Sequence, residues 1–227
     1  KHFDIEVMNI FIDHGIEIDT IIKVSFSEYS MDESNILKLT LHKNFFKEDK
    51  SYLTVYSAHY GYKRLLTKLL ANGQLEEIEH ALLHAIYNKQ MDCIKELLIY
   101  DVKINEFITD LQHKCIIGNF CKNDDSCIAM YKKRGIYPLT AAIKKNDENI
   151  FNLLLDNKAN PDICNFDKSK SIINIAIENN NLNIVKTLID DYKLSVRDDP
   201  LQNEINFNKT FLPISIKTDN SSINILV

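Results

Sequence analysis

Four residues in one short stretch, His113, Cys115, Cys121 and Cys127, carry the imidazole and thiolate groups that zinc prefers. Their spacing works against a site. Structural zinc is usually held by cysteines about two to four residues apart, whereas five residues separate each of these cysteines from the next. The stretch is read as a loop of reduced thiols, with no metal and no cofactor. Cys93 and Cys164 complete an odd set of 5 without Cys-x-x-Cys spacing, which argues against a disulfide scaffold. None of the cysteines or the 7 histidines sits in a recognisable nucleophile context. The phosphate-binding, dinucleotide, metalloprotease and serine-hydrolase signatures are absent, and Asp124-Asp125 lacks the alternating oxygens and the glycine of a calcium loop. No catalytic residue is expected, and the chain is not expected to be an enzyme.

The bulk composition narrows the partners. With 45% hydrophobic and 26% charged residues, the chain has enough apolar surface to fold. Its 27 Lys and Arg against 32 Asp and Glu give a net charge of −5, which offers no general attraction to nucleic-acid phosphates or anionic lipids. No segment approaches the roughly 18 to 20 apolar residues of a membrane span, and Lys1-His2-Phe3-Asp4 opens no signal-peptide core. The triplets Asn208-Lys209-Thr210 and Asn220-Ser221-Ser222 are therefore read as structural. The expected setting is the cytoplasm, without membrane, nucleic-acid or small-molecule partners.

A repeat lies beneath these features. Tyr137-Pro138-Leu139-Thr140-Ala141-Ala142-Ile143, followed by Asn149-Ile150-Phe151-Asn152-Leu153-Leu154-Leu155, overlays Ser171-Ile172-Ile173-Asn174-Ile175-Ala176-Ile177, followed by Asn183-Ile184-Val185-Lys186-Thr187-Leu188-Ile189. Ala142 and Ala176 are 34 residues apart. Each copy predicts a short helix, a tight connection and a second helix with apolar residues at helical spacing. The small residue lets neighbouring pairs approach; Ala142, Ala176, Ala85 and Ser57 would fill this role. Half units are expected at both ends, a second helix over Asp4 to Gly15 and a first helix over Thr210 to Ser215, so that the array would continue beyond them.

Tyr137-Pro138-Leu139-Thr140-Ala141-Ala142 resembles the T-P-L-H-x-A segment of the ankyrin repeat family, and Asn152 to Pro161 resembles the family's exit from its second helix. His14 to Asp19 and Tyr100 to Asn105 look like weaker versions of that exit. With only 5 Gly, the chain departs from the family pattern, and Asn146, Asn180 and Asn157 stand where glycine would be expected. The resemblance implies an all-α, ankyrin-type helix-turn-helix repeat solenoid, irregular with insertions, spanning 1–227. Its clearest units are 137–169 and 170–205, with a decayed repeat at 20–50 and an insertion at 106–136.

Function is then expected on the surface. The residues two and three places past each small position would point outward along a concave face: His59 and Tyr60, Tyr87 and Asn88, Lys144 and Lys145, Glu178 and Asn179, Lys217 and Thr218. Tyr60 and Tyr87 suit anchor roles, Lys144 and Lys145 suit an acidic partner, and Phe166 would tip an inter-repeat loop. The plainer reading of each is a solvated side chain. The resemblance implies a scaffold that binds another protein, in the setting of a host-interacting factor of a virus or intracellular microbe. The alternative is the substrate-recognition arm of a larger enzyme or ubiquitin-ligase adaptor whose catalytic part lies outside this chain.

Overall fold

The computed structural model describes residues 4–22, 32–47, 50–108, 136–162 and 171–194, with the backbone of 214–218 and 221–225. The chain divides into two compact units, the first holding the described residues up to Val102 and the second those from Lys103 onward.

In the first unit, α1 spans Ile5–Asp13 and α2 spans Glu33–Leu39. A single 3-10 turn at Phe45–Lys47 follows. Two helix pairs complete it: α3 (Ser51–Tyr60) with α4 (Lys63–Ala71), and α5 (Ile78–Tyr87) with α6 (Met91–Leu97). Aspartates start the first two helices, Asp4 accepting from the Glu6 amide at 3.0 Å and Asp32 from the Asn35 amide at 2.8 Å. The first helices α3 and α5 pack together, α4 packs on α6, and α2 lies against both α1 and α4. Ile12, Ile22, Ile36, Leu39, Phe45, Leu53, Leu65 and Leu69 fill the core between them. The segment read as a decayed repeat thus holds the end of the helical residues 18–22, from 20 on, and α2.

The second unit repeats the arrangement with α7 (Pro138–Lys144), α8 (Glu148–Asp156), α9 (Ile172–Glu178) and α10 (Leu182–Asp190). Proline opens α7, where its missing N–H costs nothing. Again α7 packs on α9 and α8 on α10. Ile108 and Ile136 exchange two backbone hydrogen bonds, at 3.2 and 3.0 Å, so the ends of the segment read as an insertion are pinned together.

One turn recurs in all four complete pairs. Ser57, Ala85, Ala142 and Ala176 are all fully buried. Four residues further on, Gly61, Lys89, Asn146 and Asn180 have φ of 75°, 55°, 50° and 55°. The next amide, from Tyr62, Gln90, Asp147 or Asn181, donates back to the carbonyl of the small residue at 2.8, 2.8, 3.2 and 3.0 Å. This six-to-one bond across a left-handed residue is the Schellman geometry, which satisfies a carbonyl orphaned by the end of the first helix. A second left-handed residue follows four of the second helices: Gly15 after α1, Gly73 after α4, Lys158 after α8 and Lys193 after α10. The glycine expectation at Asn157 is corrected by one residue. Asn157 has φ of −96° and its side-chain amide donates to the Leu153 carbonyl at 2.8 Å, while Lys158 turns left-handed.

The C-terminal end also departs from expectation. Ile214–Thr218 and Ser221–Ile225 form two antiparallel strands, β1 and β2, with Ile214 opposite Ile225. A half-repeat helix was expected there, with Lys217 and Thr218 on its outward face. Ile214-Ser215-Ile216-Lys217-Thr218 alternates apolar and polar with a period of two, and isoleucine and threonine favour strands.

A buried ion pair ties the first unit together. Lys50 is 1% exposed; its Nζ lies 2.9 Å from Asp19 Oδ1, which also accepts from the Tyr52 hydroxyl at 3.0 Å. The Lys50 amide donates to Gln74 Oε1, and Thr54 Oγ1 donates to the Gln74 carbonyl at 3.1 Å.

Two stability outcomes follow from these contacts. Asp19→Ala takes the carboxylate from a buried ammonium and should cost about 3 kcal/mol in urea unfolding, whereas Lys50→Met leaves the partly exposed carboxylate and should cost less. Equal losses would show that the pair is not what holds these segments. Lys89→Gly should raise stability by about 1 kcal/mol and Asn146→Gly by less, because lysine bears the greater left-handed cost. A loss at Lys89→Gly would refute the shared turn.

Candidate partner-binding surfaces

The last turns of α3 and α5 bring aromatic and imidazole rings together on the first unit. Tyr56 and Tyr60 are one helical turn apart, and the left-handed Gly61 folds Tyr62 back toward them. Ring centroids lie 4.5 Å apart for Tyr56 and Tyr60, and 5.9 Å for both Tyr56 with Tyr62 and Tyr60 with Tyr62. His59 meets Tyr60 edge-on at 4.6 Å. Tyr56 is 8% exposed and forms the floor, while Tyr60 is 42% exposed. Burial, then Tyr62 and Tyr60, push the Tyr56 hydroxyl far above the usual tyrosine range. Burial also raises Tyr62, with the carboxylates of Asp32 and Glu33 adding to it.

His59 reaches across to α5, its Nδ1 lying 3.1 Å from His84 Nδ1 and 3.1 Å from Asn88 Nδ2. Asn88 Nδ2 also donates to the His84 carbonyl at 2.9 Å, which can only accept, and this orients the amide. With the amide so oriented, His59 Nδ1 accepts from Asn88 Nδ2. Two of the expected contact residues, His59 and Asn88, thus direct these polar atoms to bracing α3 against α5. Tyr60 is the exposed member, and Tyr87 is half-buried.

The matching positions of the second unit are more open. Lys144 and Glu178 are exposed and Lys145 is half-buried. Lys144 lies in the last turn of α7, where a cation complements the helix dipole. Behind them the two turns are cross-linked: Asn181 Nδ2 donates to the Ile143 carbonyl at 2.6 Å, and Asn183 Nδ2 to Glu148 Oε2 at 2.8 Å. A small cavity of about 230 Å³ lies between these turns. Phe166 and the set His113, Cys115, Cys121 and Cys127 lie outside the described residues, as does Cys164.

Cys93 is buried on α6, and burial, with Asp92 adding to it, pushes its thiol up to about 11. It is protonated at neutral pH and inert as a nucleophile. Among the described residues no three His, Cys, Asp or Glu converge as metal ligands. No helix among them is long and apolar enough to cross a membrane. An open groove of about 460 Å³ between α1 and α2 is bordered by Asn9, Asp13, Lys38 and His42. His42 Nδ1 accepts the Asn44 amide at 3.2 Å, so its Nε2 proton faces Asp13 Oδ1 at 3.3 Å.

Sequence reasoning did not single out Tyr56, Tyr62 and His84. Tyr56 and His84 each stand one residue before a small packing position, so aligning the two pairs on Ser57 and Ala85 would have found them.

The paired helices, their shared turn and these surfaces define a helix-turn-helix repeat protein. Residues 111–223 match the family model for ankyrin repeats in three copies, and the chain belongs to the ankyrin repeat family. Repeats of this family generally mediate protein–protein interaction and are typically non-catalytic. The match covers most of the segment read as an insertion and reaches into the C-terminal hairpin. The helix pairs of the first unit precede it. No curated protein matches the chain.

His84→Leu removes the bond to His59 and should lower unfolding free energy by about 1–2 kcal/mol. Tyr60→Ala, at an exposed site, should cost less than about 1 kcal/mol. If thermal unfolding ranked the two the other way, Tyr60 would be a structural residue rather than a contact.

Proposed function

We propose that the chain is a non-catalytic scaffold that binds a partner protein through the helix-end surfaces beside its left-handed turns. Tyr60 is the anchor on the first unit, with Tyr87 beside it in sequence register. Lys144, Lys145 and Glu178 supply charged contacts on the second unit, and Phe166 an apolar one. The observation that carries this reading is Tyr60: a large aromatic side chain, 42% exposed, held between the rings of Tyr56, Tyr62 and His59. A side chain already packed in one place loses little freedom on binding, which is where aromatic anchors draw their affinity. The net charge of −5 supports a protein partner over a nucleic acid. An interface of about 800 Å² per side would suffice.

The test compares the wild type with a Tyr60→Ala, Tyr87→Ala, Lys144→Glu variant shown by circular dichroism to remain folded. A partner captured from lysate of the source cell should bind the variant at least about tenfold more weakly. Equal affinity for both proteins would sink the helix-end reading.

A further inference from the structure

We infer that the tyrosine patch of the first unit, Tyr60 and Tyr62 with Asp32 and Glu33 beside them, receives a lysine- or arginine-rich segment of the partner. This rests on the protein-binding reading and specifies the partner's chemistry. Aromatic faces attract cations through the ring quadrupole, and Tyr60 is 42% exposed with Tyr62 half-buried 5.9 Å away. The carboxylates are held in place: Glu33 Oε1 accepts the Leu65 amide at 3.0 Å, three residues past Tyr62, and Asp32 Oδ1 accepts the Asn35 amide. Their field reaches the patch, since both carboxylates raise the Tyr62 hydroxyl.

The charge of the chain is partitioned in the same sense. Residues 1–102 carry 16 Asp and Glu against 11 Lys and Arg, while residues 103–227 carry 16 of each. The first unit therefore bears the whole net negative charge, which steers a cationic segment toward it and away from the second unit. Lys63 and Arg64 open α4 next to Tyr62 and are the nearby cations in sequence. The charge of Lys63 also acts on Cys93 of α6, where it opposes the stronger effect of burial. Glu33 acts on Cys93 too, so part of its field is shared with that thiol, and Asp32 and the tyrosine faces carry the recognition.

The probe is a short fluorescent peptide of alternating arginine and alanine, with the glutamate counterpart as control, read by anisotropy on the full chain at low ionic strength. Saturable binding of the arginine peptide alone is expected. Tyr60→Ala should weaken it about threefold to fivefold, and the Asp32→Asn, Glu33→Gln pair, which keeps both hydrogen-bond acceptors, about fivefold. A Glu76→Gln, Glu79→Gln pair, equal in net charge but placed before and within α5, should weaken it by less than about twofold, the share of general steering. Absence of saturable binding, equal binding of the glutamate peptide, or an equal loss in the Glu76 and Glu79 variant would each overturn the inference. If the captured partner still depended on Tyr60 after such a result, the scaffold reading would survive and only the basic-segment inference would fall.

Discussion

Everything in the two units hangs on one backbone hydrogen bond, made four times. A first helix must stop, reverse and deliver a second helix antiparallel to it within two or three residues, and the carbonyls at its end must not be left unpaired in the interior. The amide of Tyr62, Gln90, Asp147 or Asn181 meets that demand by returning to the carbonyl of Ser57, Ala85, Ala142 or Ala176. The return is possible only if the intervening residue is left-handed, and the bonded carbonyl belongs to a side chain small enough to let the next pair close over it. The same bond therefore sets the helix reversal and the depth of packing between neighbouring pairs.

The turns are also joined to one another. In the first unit the Gln90 side-chain carboxamide lies against Gly61, where a Cβ would make it shift, and the left-handed φ is what favours glycine there. In the second unit Asn181, at the position matching Gln90, donates to the Ile143 carbonyl of the preceding turn. The residue that follows the left-handed position thus approaches the preceding turn in both units, and in the second it is bonded to it. The chain keeps its architecture with few glycines because Lys89 and Asn146 accept a left-handed cost that roughly a kilocalorie of neighbouring packing can offset.

Much of this was legible because the periodic part of the signal is the packed part. The spacing of Ala142 and Ala176 predicts two helix pairs, and α7 to α10 stand where it places them. Asparagine at 146 and 180 reads as left-handed for the physical reason that its short polar side chain tolerates that region. Lys89 and Lys158 were not legible, since lysine has no such preference and what holds it there is the backbone bonding that closes the helix. The segment Ile214–Thr218 was forced into a helical register by extending the repeat, although its own alternation has the period of a strand. His84 was overlooked for a related reason: polar residues are expected outside, and a buried imidazole becomes visible only with its partners, His59 and Asn88.

Under the proposed function, these constraints decide which surface is left for recognition. The residues two and three places past each small position sit in the last helical turn, beside the left-handed residue, and so are held by the most constrained backbone in the repeat. Where a polar group there faces its counterpart on the next helix, as His59 faces His84 and Asn88, it is absorbed into the brace between α3 and α5. Where an aromatic ring stands one place further, as Tyr60 does, the brace beneath it and Tyr56 behind it hold the ring while the side chain stays exposed. Rigidity beneath and exposure above are the two properties an anchor needs, and in the first unit the one turn produces both.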